Sequence, residues 1–443
     1  MTHDWQKASA ADLGRGIGDE LIDPVELTDS FLDAIGSNKL GDKIYARTTP
    51  DRARAEAKAA RDRARTGQRL SPLDGVPISW KDLFDTQGTA TEAGTALLKG
   101  RVPTKDARVL ANATRAGLVC LGKTHMSELA FSGLGLNPIT QTPPCINYPD
   151  AVPGGSSSGA GTSVAFGLAA VGIGSDTGGS VRIPSAWNDL VGLKTTHGAL
   201  SLEGVVPLCQ RFDTVGPLTK TVEDAGLLWD AMGGGAAPDI CDASLSGRSF
   251  LVLETAALDD VREAPMHGFE IAVKKLEKAG VNIVRGKVPV VADAMPLAAT
   301  IFAPEAYGQW QQEIEAHPEK MFFEILERFR AGAGVSGPEF SRAWNDLTQM
   351  RLKYLEATAG YDAVLVPTSP ILPPNVDKLL NNHDYFVSEN LLALRNTRIG
   401  NMFGLAVLTL PTGVPSCGIS LMGSPGSESR LLQMGAAAEQ ALT

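Results

Sequence analysis

Two loops rich in glycine and serine, separated by an apolar segment, set the strongest limit on how this chain can fold. The first loop covers residues 154–161 and the second covers residues 174–180. Residues 162–170 between them predict a helix of small side chains, and residues 171–174 predict a short strand. Because this intervening segment is apolar, a flexible linker does not explain the glycine content. The order of loop, helix, strand and loop predicts two glycine-rich turns that meet at one end of a sheet.

The rest of the chain predicts alternating helices and strands. A turn at Asp74 and Gly75 leads into an apolar strand that ends on Lys81. An early helix begins after Asp23, with Pro24 as its first helical residue. Further strands are expected at residues 118–121, 250–253, 281–284, 362–367, 407–410 and 418–421, and further helices at 106–117, 270–279, 427–441 and across 298–358 with breaks at Pro304, Pro318 and Pro338.

The distribution of these elements predicts the fold class. Strands occur near both ends and in the middle of the chain, and the sequence contains no internal repeat and no clear linker between domains. We therefore expect an α/β fold with a single mixed β-sheet core covered by helices on both faces. We also expect residues 1–443 to form one domain.

The charge of the chain argues against binding to a polyanion. Forty Lys and Arg residues stand against fifty Asp and Glu residues, which gives a formal net charge of −10. The densest basic stretch, residues 52–65, pairs Arg52 with Glu56 and Lys58 with Asp62 at a spacing of four residues. That pattern is typical of a solvated helix face. We therefore expect no direct contact with nucleic acid.

The cysteines and the apolar segments predict a cytoplasmic protein. The five cysteines are scattered, odd in number and without CxxC spacing, which favours free thiols over disulfides or a structural zinc. The first ten residues contain no apolar core, so we expect no signal peptide. The apolar stretch at residues 164–174 is shorter than the roughly 18 residues that a membrane span needs. We expect no contact with a membrane.

A serine that follows two glycines is the best candidate nucleophile. It is Ser180, the last residue of the segment DTGGS at 176–180. Two consecutive glycines let the chain turn so that successive N–H groups point into one space, as an oxyanion requires. A helix expected over residues 181–188 would add a favourable partial charge for an anion. Taken alone, the segment is equally compatible with an ordinary glycine-rich turn.

Three motifs together resemble the amidase signature family. They are GVPISWKD at residues 75–82, PGGSSSG at 153–159 and GSDTGGSVRIP at 174–184. Lys81 precedes Ser156 by 75 residues, and Ser156 precedes Ser180 by 24 residues, spacings that are typical of this family. The signature core covers about residues 70–220, and weaker similarity extends from about Asp23 to Gln440.

The resemblance implies an amidohydrolase with a Ser-cisSer-Lys triad and without a metal or organic cofactor. Ser180 would carry the acyl group, and Ser156, placed after a cis peptide bond, would pass protons between Ser180 and Lys81. Lys81 must be neutral to act as a base, and burial would lower its pKa from the ordinary value of ~10.4. The resemblance further assigns the oxyanion hole to the N–H groups of Thr177, Gly178, Gly179 and Ser180, the acyl pocket to Ala130, Phe131 and Ser132, and support of the loop to Asp176 and Arg182.

Two positions depart from the pattern of the family. His125 stands where the family more often has Asn, and Ser158 stands where Gly is usual. Neither position carries one of the three chemical roles. His125 either changes the acyl pocket or is a hydrogen-bonded structural histidine, and the sequence alone leaves this open.

Other functions are compatible with parts of the sequence. Residues 155–159 also match the G-x-S-x-G elbow of α/β-hydrolases, with Ser157 as nucleophile and a histidine downstream, but that interpretation leaves the lysine motif unexplained. The A subunit of glutamyl-tRNA amidotransferase resembles this chain as well, and it takes ammonia from glutamine inside a complex. A non-catalytic descendant is disfavoured because all three catalytic positions are filled.

The main prediction is an amidase that converts a small linear carboxamide to a carboxylic acid and ammonia or an amine. The sequence does not identify the amide. Arg211, Arg342 and Arg395 are the candidates it offers for binding a substrate carboxylate, although a surface or salt-bridge role fits each of them better. A homodimer is compatible with the sequence.

Overall fold

Eleven strands form one mixed sheet in the computed structural model, which describes residues 5–443. Residues 1–4, part of the segment on which the expectation about a signal peptide rests, lie outside the described residues. The strands are β1 (Tyr45–Thr48), β2 (Pro77–Lys81), β3 (Val119–Thr124), β4 (Val171–Asp176), β5 (Val191–Lys194), β6 (Thr214–Thr219), β7 (Ser249–Leu253), β8 (Asn282–Gly286), β9 (Ala363–Pro367), β10 (Ala406–Pro411) and β11 (Gly418–Gly423).

The order of the strands in the sheet is β1-β3-β2-β4-β6-β5-β10-β11-β9-β7-β8. β2 pairs in parallel with β3 and β4, and β7 pairs in parallel with β8 and β9, whereas the other neighbours are antiparallel. Every residue of β2, β3, β4 and β11 is buried. Because successive side chains of a strand point to opposite faces, both faces of the sheet are covered there. The expected α/β fold with one mixed sheet is confirmed.

Helices cover the sheet and form the layers around it. They are α1 (Ala10–Gly18), α2 (Pro24–Ser37), α3 (Gly41–Ile44), α4 (Pro50–Arg65), α5 (Arg108–Arg115), α6 (Ser158–Ala165), α7 (Arg182–Trp187), α8 (Val222–Ala231), α9 (Glu263–Lys278), α10 (Pro289–Ala294), α11 (Leu297–Ala316), α12 (Phe323–Arg330), α13 (Gly337–Thr358), α14 (Val376–Asn381), α15 (His383–Met402) and α16 (Glu428–Leu442). Short 3-10 helices occur at Ala96–Leu98, Glu128–Ala130, Pro318–Lys320 and Ala331–Gly334.

The start signals in the sequence placed some helices correctly and others a few residues away. α2 begins as expected, since the Asp23 carboxylate accepts hydrogen bonds from the N–H groups of Val25 and Glu26. α5 begins at Arg108 and not at Asp106, because the Asp106 carboxylate accepts hydrogen bonds from Arg52 and from the Gln87 N–H. α6 begins at Ser158, so the first glycine-rich loop is shorter than the sequence indicated.

The expected break at Pro304 is wrong. α11 runs without interruption from Leu297 to Ala316, with Pro304 inside it. Ile301 and Ala306 are fully buried on either side of this proline. Packing of the helix therefore outweighs the loss of the hydrogen bond that proline cannot donate. Pro338, in contrast, lies in the first turn of α13, behind a capping box formed by Ser336 and Glu339.

Between residues 5 and 443, no helix combines the length and the apolar composition that a membrane span needs. α4, the basic stretch of the sequence, buries Ala53, Ala57 and Ala60 against the protein. Both expected ion pairs form, Arg52–Glu56 at 2.8 Å and Lys58–Asp62 at 3.4 Å. The Lys58–Asp62 pair is exposed, as the sequence pattern predicts. Arg52 and Glu56 are instead partly buried, because they also bond to Asp106 and to the Cys120 N–H.

Candidate active site

The three motifs meet where two parallel strands end. β2 ends on Lys81 and its neighbour β4 ends on Asp176. Trp80 lies opposite Ile173 in the register of this pair. Because parallel neighbours finish at the same edge of a sheet, the end of the lysine motif lies beside the start of the second glycine-rich loop. The PGGSSSG loop, which leads into α6, reaches the same edge.

Lys81 is fully buried and donates two hydrogen bonds to serine hydroxyls. Its Nζ atom lies 2.7 Å from Ser156 Oγ and 2.8 Å from Ser175 Oγ. Burial lowers the pKa of Lys81 to about 7, although the charges of Asp176 and Asp213 act in the opposite direction. Near neutral pH a large fraction of the side chain is therefore an uncharged amine that can accept a proton.

Ser156 is held at the centre of the first loop. A cis peptide bond joins it to Gly155, and its carbonyl accepts a hydrogen bond from the Ser127 N–H at 3.1 Å. The two serine loops are linked by the Ser157 N–H, which donates to the Ser180 carbonyl at 3.3 Å. Within residues 5–443 the hydroxyls of Ser156 and Ser180 form no direct hydrogen bond, and the Ser180 residue lines a cavity.

The second loop presents backbone donors that nothing in the protein uses. In the part of the chain that the structure describes, the N–H groups of Thr177, Gly178, Gly179 and Ser180 donate to no protein acceptor. Gly179 has φ of +145°, and a Cβ atom there would lie 2.2 Å from Thr397 Oγ1, so only glycine fits. This run of free donors can stabilise a negatively charged oxygen.

A buried ion pair fixes the ends of this loop. The Arg182 guanidinium donates from Nε and Nη2 to the two carboxylate oxygens of Asp176, each at 2.9 Å. Asn401 and the Thr397 carbonyl also bond to the pair. Burial alone would raise the pKa of Asp176, but the Arg182 charge holds it well below its ordinary value. The carboxylate is therefore ionised throughout the neutral range, and the loop is anchored to α15.

Two further residues support the site that sequence reasoning did not assign to it. Ser175 accepts the second hydrogen bond of Lys81, and its place near the end of β4, next to β2, was the signal that could have identified it. Asp213 accepts a hydrogen bond of 2.5 Å from Thr177 Oγ1 and two more from the N–H groups of Leu208 and Cys209. Burial raises the pKa of Asp213 to about 6. Asp213 thus holds the loop at Thr177, whereas Arg182 holds it at Asp176.

Ser180 opens onto a narrow space that we call the inner cavity. Its volume is about 30 Å³. Thr177, Gly178 and the predicted acyl-pocket residues all reach it, whereas Gly179 does not. The inner cavity is lined by Ala130, Phe131, Ser132, Thr177, Gly178, Ser180, Leu208, Phe302, Arg328, Leu394 and Arg398.

A larger outer cavity of about 610 Å³ adjoins the inner one. Phe131, Phe302, Arg328 and Arg398 belong to the walls of both. Arg328 and Arg398 lie on α12 and α15, and sequence reasoning missed them. No local motif marks these two positions, because only packing of distant helices brings them to the site.

The three arginines that the sequence offered as carboxylate ligands lie elsewhere. The Arg211 guanidinium lies over the rings of Phe340 and Trp344. Arg395 donates to the Ala257 carbonyl, and Arg342 is exposed. None of the three lines the inner or the outer cavity.

The two unusual residues of the motifs belong to the scaffold behind the site. The His125 carbonyl accepts hydrogen bonds from the Gly159 N–H and from Ser158 Oγ. Burial lowers the pKa of His125 to about 4, and the residue lines neither cavity. Ser157, the nucleophile of the elbow interpretation, donates to the Ser175 carbonyl and bonds to no histidine among the described residues. The geometry therefore gives Ser157 no base.

No three His, Cys, Asp or Glu side chains within residues 5–443 are grouped so that they could hold a metal ion. The site brings together the buried lysine, the serine hydroxyls and the backbone donors described above. The arrangement can support attack by a serine on a carbonyl carbon, since it offers a base, a hydroxyl relay and an anion site.

Comparison with known proteins gives a consistent result. A family model described as Amidase matches residues 26–432. The chain is 34% identical over 391 residues to 2-amino-5-chloromuconic acid deaminase of Comamonas testosteroni, covering 86% of this chain and 84% of the relative. It is 28% identical over 466 residues to the A subunit of glutamyl-tRNA(Gln) amidotransferase of Chloroflexus aurantiacus, covering 96% and 94% of the two chains. A crystal structure of an amidase superimposes with a TM-score of 0.88 and 26% identity, covering 98% of this chain and 100% of that one.

Proposed function

The chain belongs to the amidase family, and on that premise we propose that it hydrolyses a linear carboxamide through an acyl-enzyme on Ser180. The observation that carries this proposal is the position of Lys81. It is fully buried, its pKa is lowered to about 7, and it donates to Ser156 Oγ at 2.7 Å. A lysine in this state is a base that can act near neutral pH.

In the first half of the reaction Ser180 Oγ attacks the carbonyl carbon of the amide. The Ser180 proton passes to Ser156 Oγ while Ser156 gives its own proton to Lys81 Nζ. The N–H groups of residues 177–180 bind the oxyanion of the tetrahedral intermediate. The C–N bond then breaks, and the leaving nitrogen takes a proton from Ser156, which recovers one from Lys81. The products of this half are ammonia or an amine and an ester on Ser180.

In the second half a water molecule attacks the ester carbonyl. Its proton follows the same route through Ser156 to Lys81, and the oxyanion is bound by the same backbone donors. The C–O bond to Ser180 breaks, Ser180 recovers its proton, and the carboxylic acid leaves. Asp176, Arg182 and Asp213 take no proton in this scheme, and their role is to hold the loop in place.

We further propose that the chain works as one domain in the cytoplasm. The support for one domain is the continuous sheet, whose strands come from residues 45 to 423. The support for a reducing compartment is that the five cysteines are unpaired, four of them buried.

The experiment that tests the proposed function is turnover of the purified chain without added partners. Ammonia release is measured with small aliphatic amides, aryl amides and glutamine. We expect hydrolysis of a simple amide by the chain alone, and its loss in Ser180→Ala. If no amide is hydrolysed until partner proteins are added, the result would instead support a role as the ammonia-releasing part of a tRNA-dependent amidotransferase. The comparisons do not favour that role.

A further inference from the structure

Two guanidinium groups in the wall shared by the inner and outer cavities have no anionic partner. They belong to Arg328 on α12 and Arg398 on α15. Between residues 5 and 443 no carboxylate, carbonyl or hydroxyl accepts a hydrogen bond from either side chain. In contrast, the guanidinium of Arg182, the buried arginine behind Ser180, donates hydrogen bonds to Asp176, to Asn401 and to the Thr397 carbonyl.

An arginine without a counter-ion in a partly closed site is unfavourable for the protein alone. Burial lowers the pKa of Arg328 to about 9, and the nearby charge of Arg398 adds to this effect. Burial lowers the pKa of Arg398 to about 10. Both groups therefore remain cationic at neutral pH, and they repel each other. An anion placed between the two guanidinium groups would reduce their repulsion and would accept hydrogen bonds from both.

Arg328 is held in its position without using its hydrogen-bond donors. Its Cζ atom lies 4.6 Å from the centre of the Phe131 ring, and Phe131 itself packs against Phe329. A guanidinium stacked on an aromatic ring is oriented by that contact, while its N–H groups stay free. The side chain is thus fixed in advance for a planar acceptor such as a carboxylate.

The acidic residues near the two arginines are already engaged. Glu324 and Glu327 line the outer cavity. Glu324 bonds to His383 Nδ1 at 2.7 Å, and Glu327 pairs with Arg330 at 3.6 Å. The described wall of the inner cavity contains no acidic residue. The space beside Ser180 is therefore positive, which favours an anion and disfavours a substrate that carries an ammonium group there.

We propose that Arg328 and Arg398 bind a carboxylate of the substrate, so that the enzyme acts on small amides that are also carboxylic acids. Monoamides of short dicarboxylic acids are the simplest members of this class. The inference rests on the proposed function, because it takes Ser180 as the group that attacks the amide. Ser180 and both arginines line the inner cavity, and both arginines also line the adjoining outer cavity of about 610 Å³. A small molecule that extends from the outer cavity can therefore present its amide to the serine and its carboxylate to the arginines.

The kinetic test uses pairs of amides that differ in the carboxylate alone. Succinamate is compared with butyramide, and glutaramate with pentanamide, as the ratio of kcat/KM within each pair. We expect the wild type to favour the anionic amide, and Arg328→Gln and Arg398→Gln each to lower the ratio about 10-fold to 100-fold, the range for losing a hydrogen bond to a charged group. Arg395→Gln is the control, because Arg395 is also on α15 but bonds the Ala257 carbonyl. A wild type that favours the neutral amide, or an unchanged ratio in both variants, would overturn the proposal.

A binding test separates this inference from the proposed function. Succinate and glutarate are titrated by calorimetry into the wild type and into Arg328→Gln and Arg398→Gln. The neutral diamide succinamide, which the active enzyme could hydrolyse, is titrated into the same three proteins with Ser180→Ala added. We expect the dicarboxylates to bind the wild type, the diamide to bind more weakly, and both arginine variants to lose the difference. Dicarboxylate binding that depends on the arginines, without turnover of any amide, would support the carboxylate site and contradict the amidase mechanism. Turnover of amides without a preference for the anionic amide, and without dicarboxylate binding that depends on the arginines, would support the amidase mechanism and contradict the carboxylate site.

Discussion

Lys81 donates a hydrogen bond of 2.7 Å to Ser156, a residue 75 positions further along the chain, and both side chains are fully buried. The contact exists because β2 and β4 are parallel neighbours and the PGGSSSG loop reaches the edge where both strands end. Burial disfavours the ammonium form of Lys81. At neutral pH a large fraction of Lys81 is therefore an uncharged amine, next to a hydroxyl that can relay a proton.

The pH dependence of turnover follows from the state of Lys81. Its pKa is lowered to about 7 by burial, and the neutral form, which the proposed mechanism requires, becomes more abundant as the pH rises through that value. With a neutral amide as substrate, kcat/KM should rise between about pH 6 and 8 and level off above that. A pH–rate profile checks this. A limb near the ordinary lysine value of ~10.4 would contradict the lowered pKa of Lys81 as the cause of the pH dependence.

Ser175 should position Lys81. Ser175→Ala removes one of the two hydroxyls to which Nζ donates, so the amine loses part of its orientation toward Ser156. We expect kcat to fall about 10-fold with little change in KM, because Ser175 does not line the inner cavity. Steady-state kinetics measure the two parameters separately.

Ser79→Ala is the matched control for Ser175. Ser79 is on the same strand as Lys81, but its hydroxyl bonds Ser163 at 2.8 Å. The kcat of Ser79→Ala should remain close to that of the wild type. Equal losses in the two variants would mean that Ser175 has no special relation to Lys81.

Much of this site could be predicted because its parts are local in sequence. Lys81, Ser156 and Ser180 lie in short motifs rich in glycine and serine, where backbone geometry depends on neighbouring residues. The apolar runs also predicted all eight expected strands to within a few residues, as β2, β3, β4, β7, β8, β9, β10 and β11. A strand carries its own signal when both of its faces are buried, since it is then continuously apolar.

The parts that could not be predicted depend on packing between distant elements. Arg328 and Arg398 come from α12 and α15, about 150 to 220 residues after Ser180, and nothing in their local sequence distinguishes them from surface arginines. Pro304 shows the same limit, since buried neighbours keep α11 continuous through it. Ser175 accepts a hydrogen bond from Lys81 on the neighbouring strand, and Asp213 accepts one from Thr177 in the second loop. Periodicity does not reveal such contacts.

The ion pair of Asp176 and Arg182 behind Ser180 should be important for stability. Asp176→Asn leaves the fully buried Arg182 without its counter-charge. Removing one partner of a buried pair typically costs about 3–5 kcal/mol, and we expect a loss of that size in the free energy of unfolding measured with urea. The control is Asp29→Asn in the exposed pair of Arg54 and Asp29, where the loss should be below about 1 kcal/mol. Similar losses in both variants would contradict this role of Asp176.

The central claim is that Ser180 is the nucleophile, and the most direct test is kcat for one amide in three proteins, the wild type, Ser180→Ala and Ser157→Ala. Ser180 lines the inner cavity, whereas the Ser157 hydroxyl bonds the Ser175 carbonyl behind it. We predict that Ser180→Ala loses about 10⁴-fold or more in kcat and that Ser157→Ala keeps most of the activity. Full activity in Ser180→Ala, with the loss found in Ser157→Ala, would contradict the mechanism and identify Ser157 as the nucleophile.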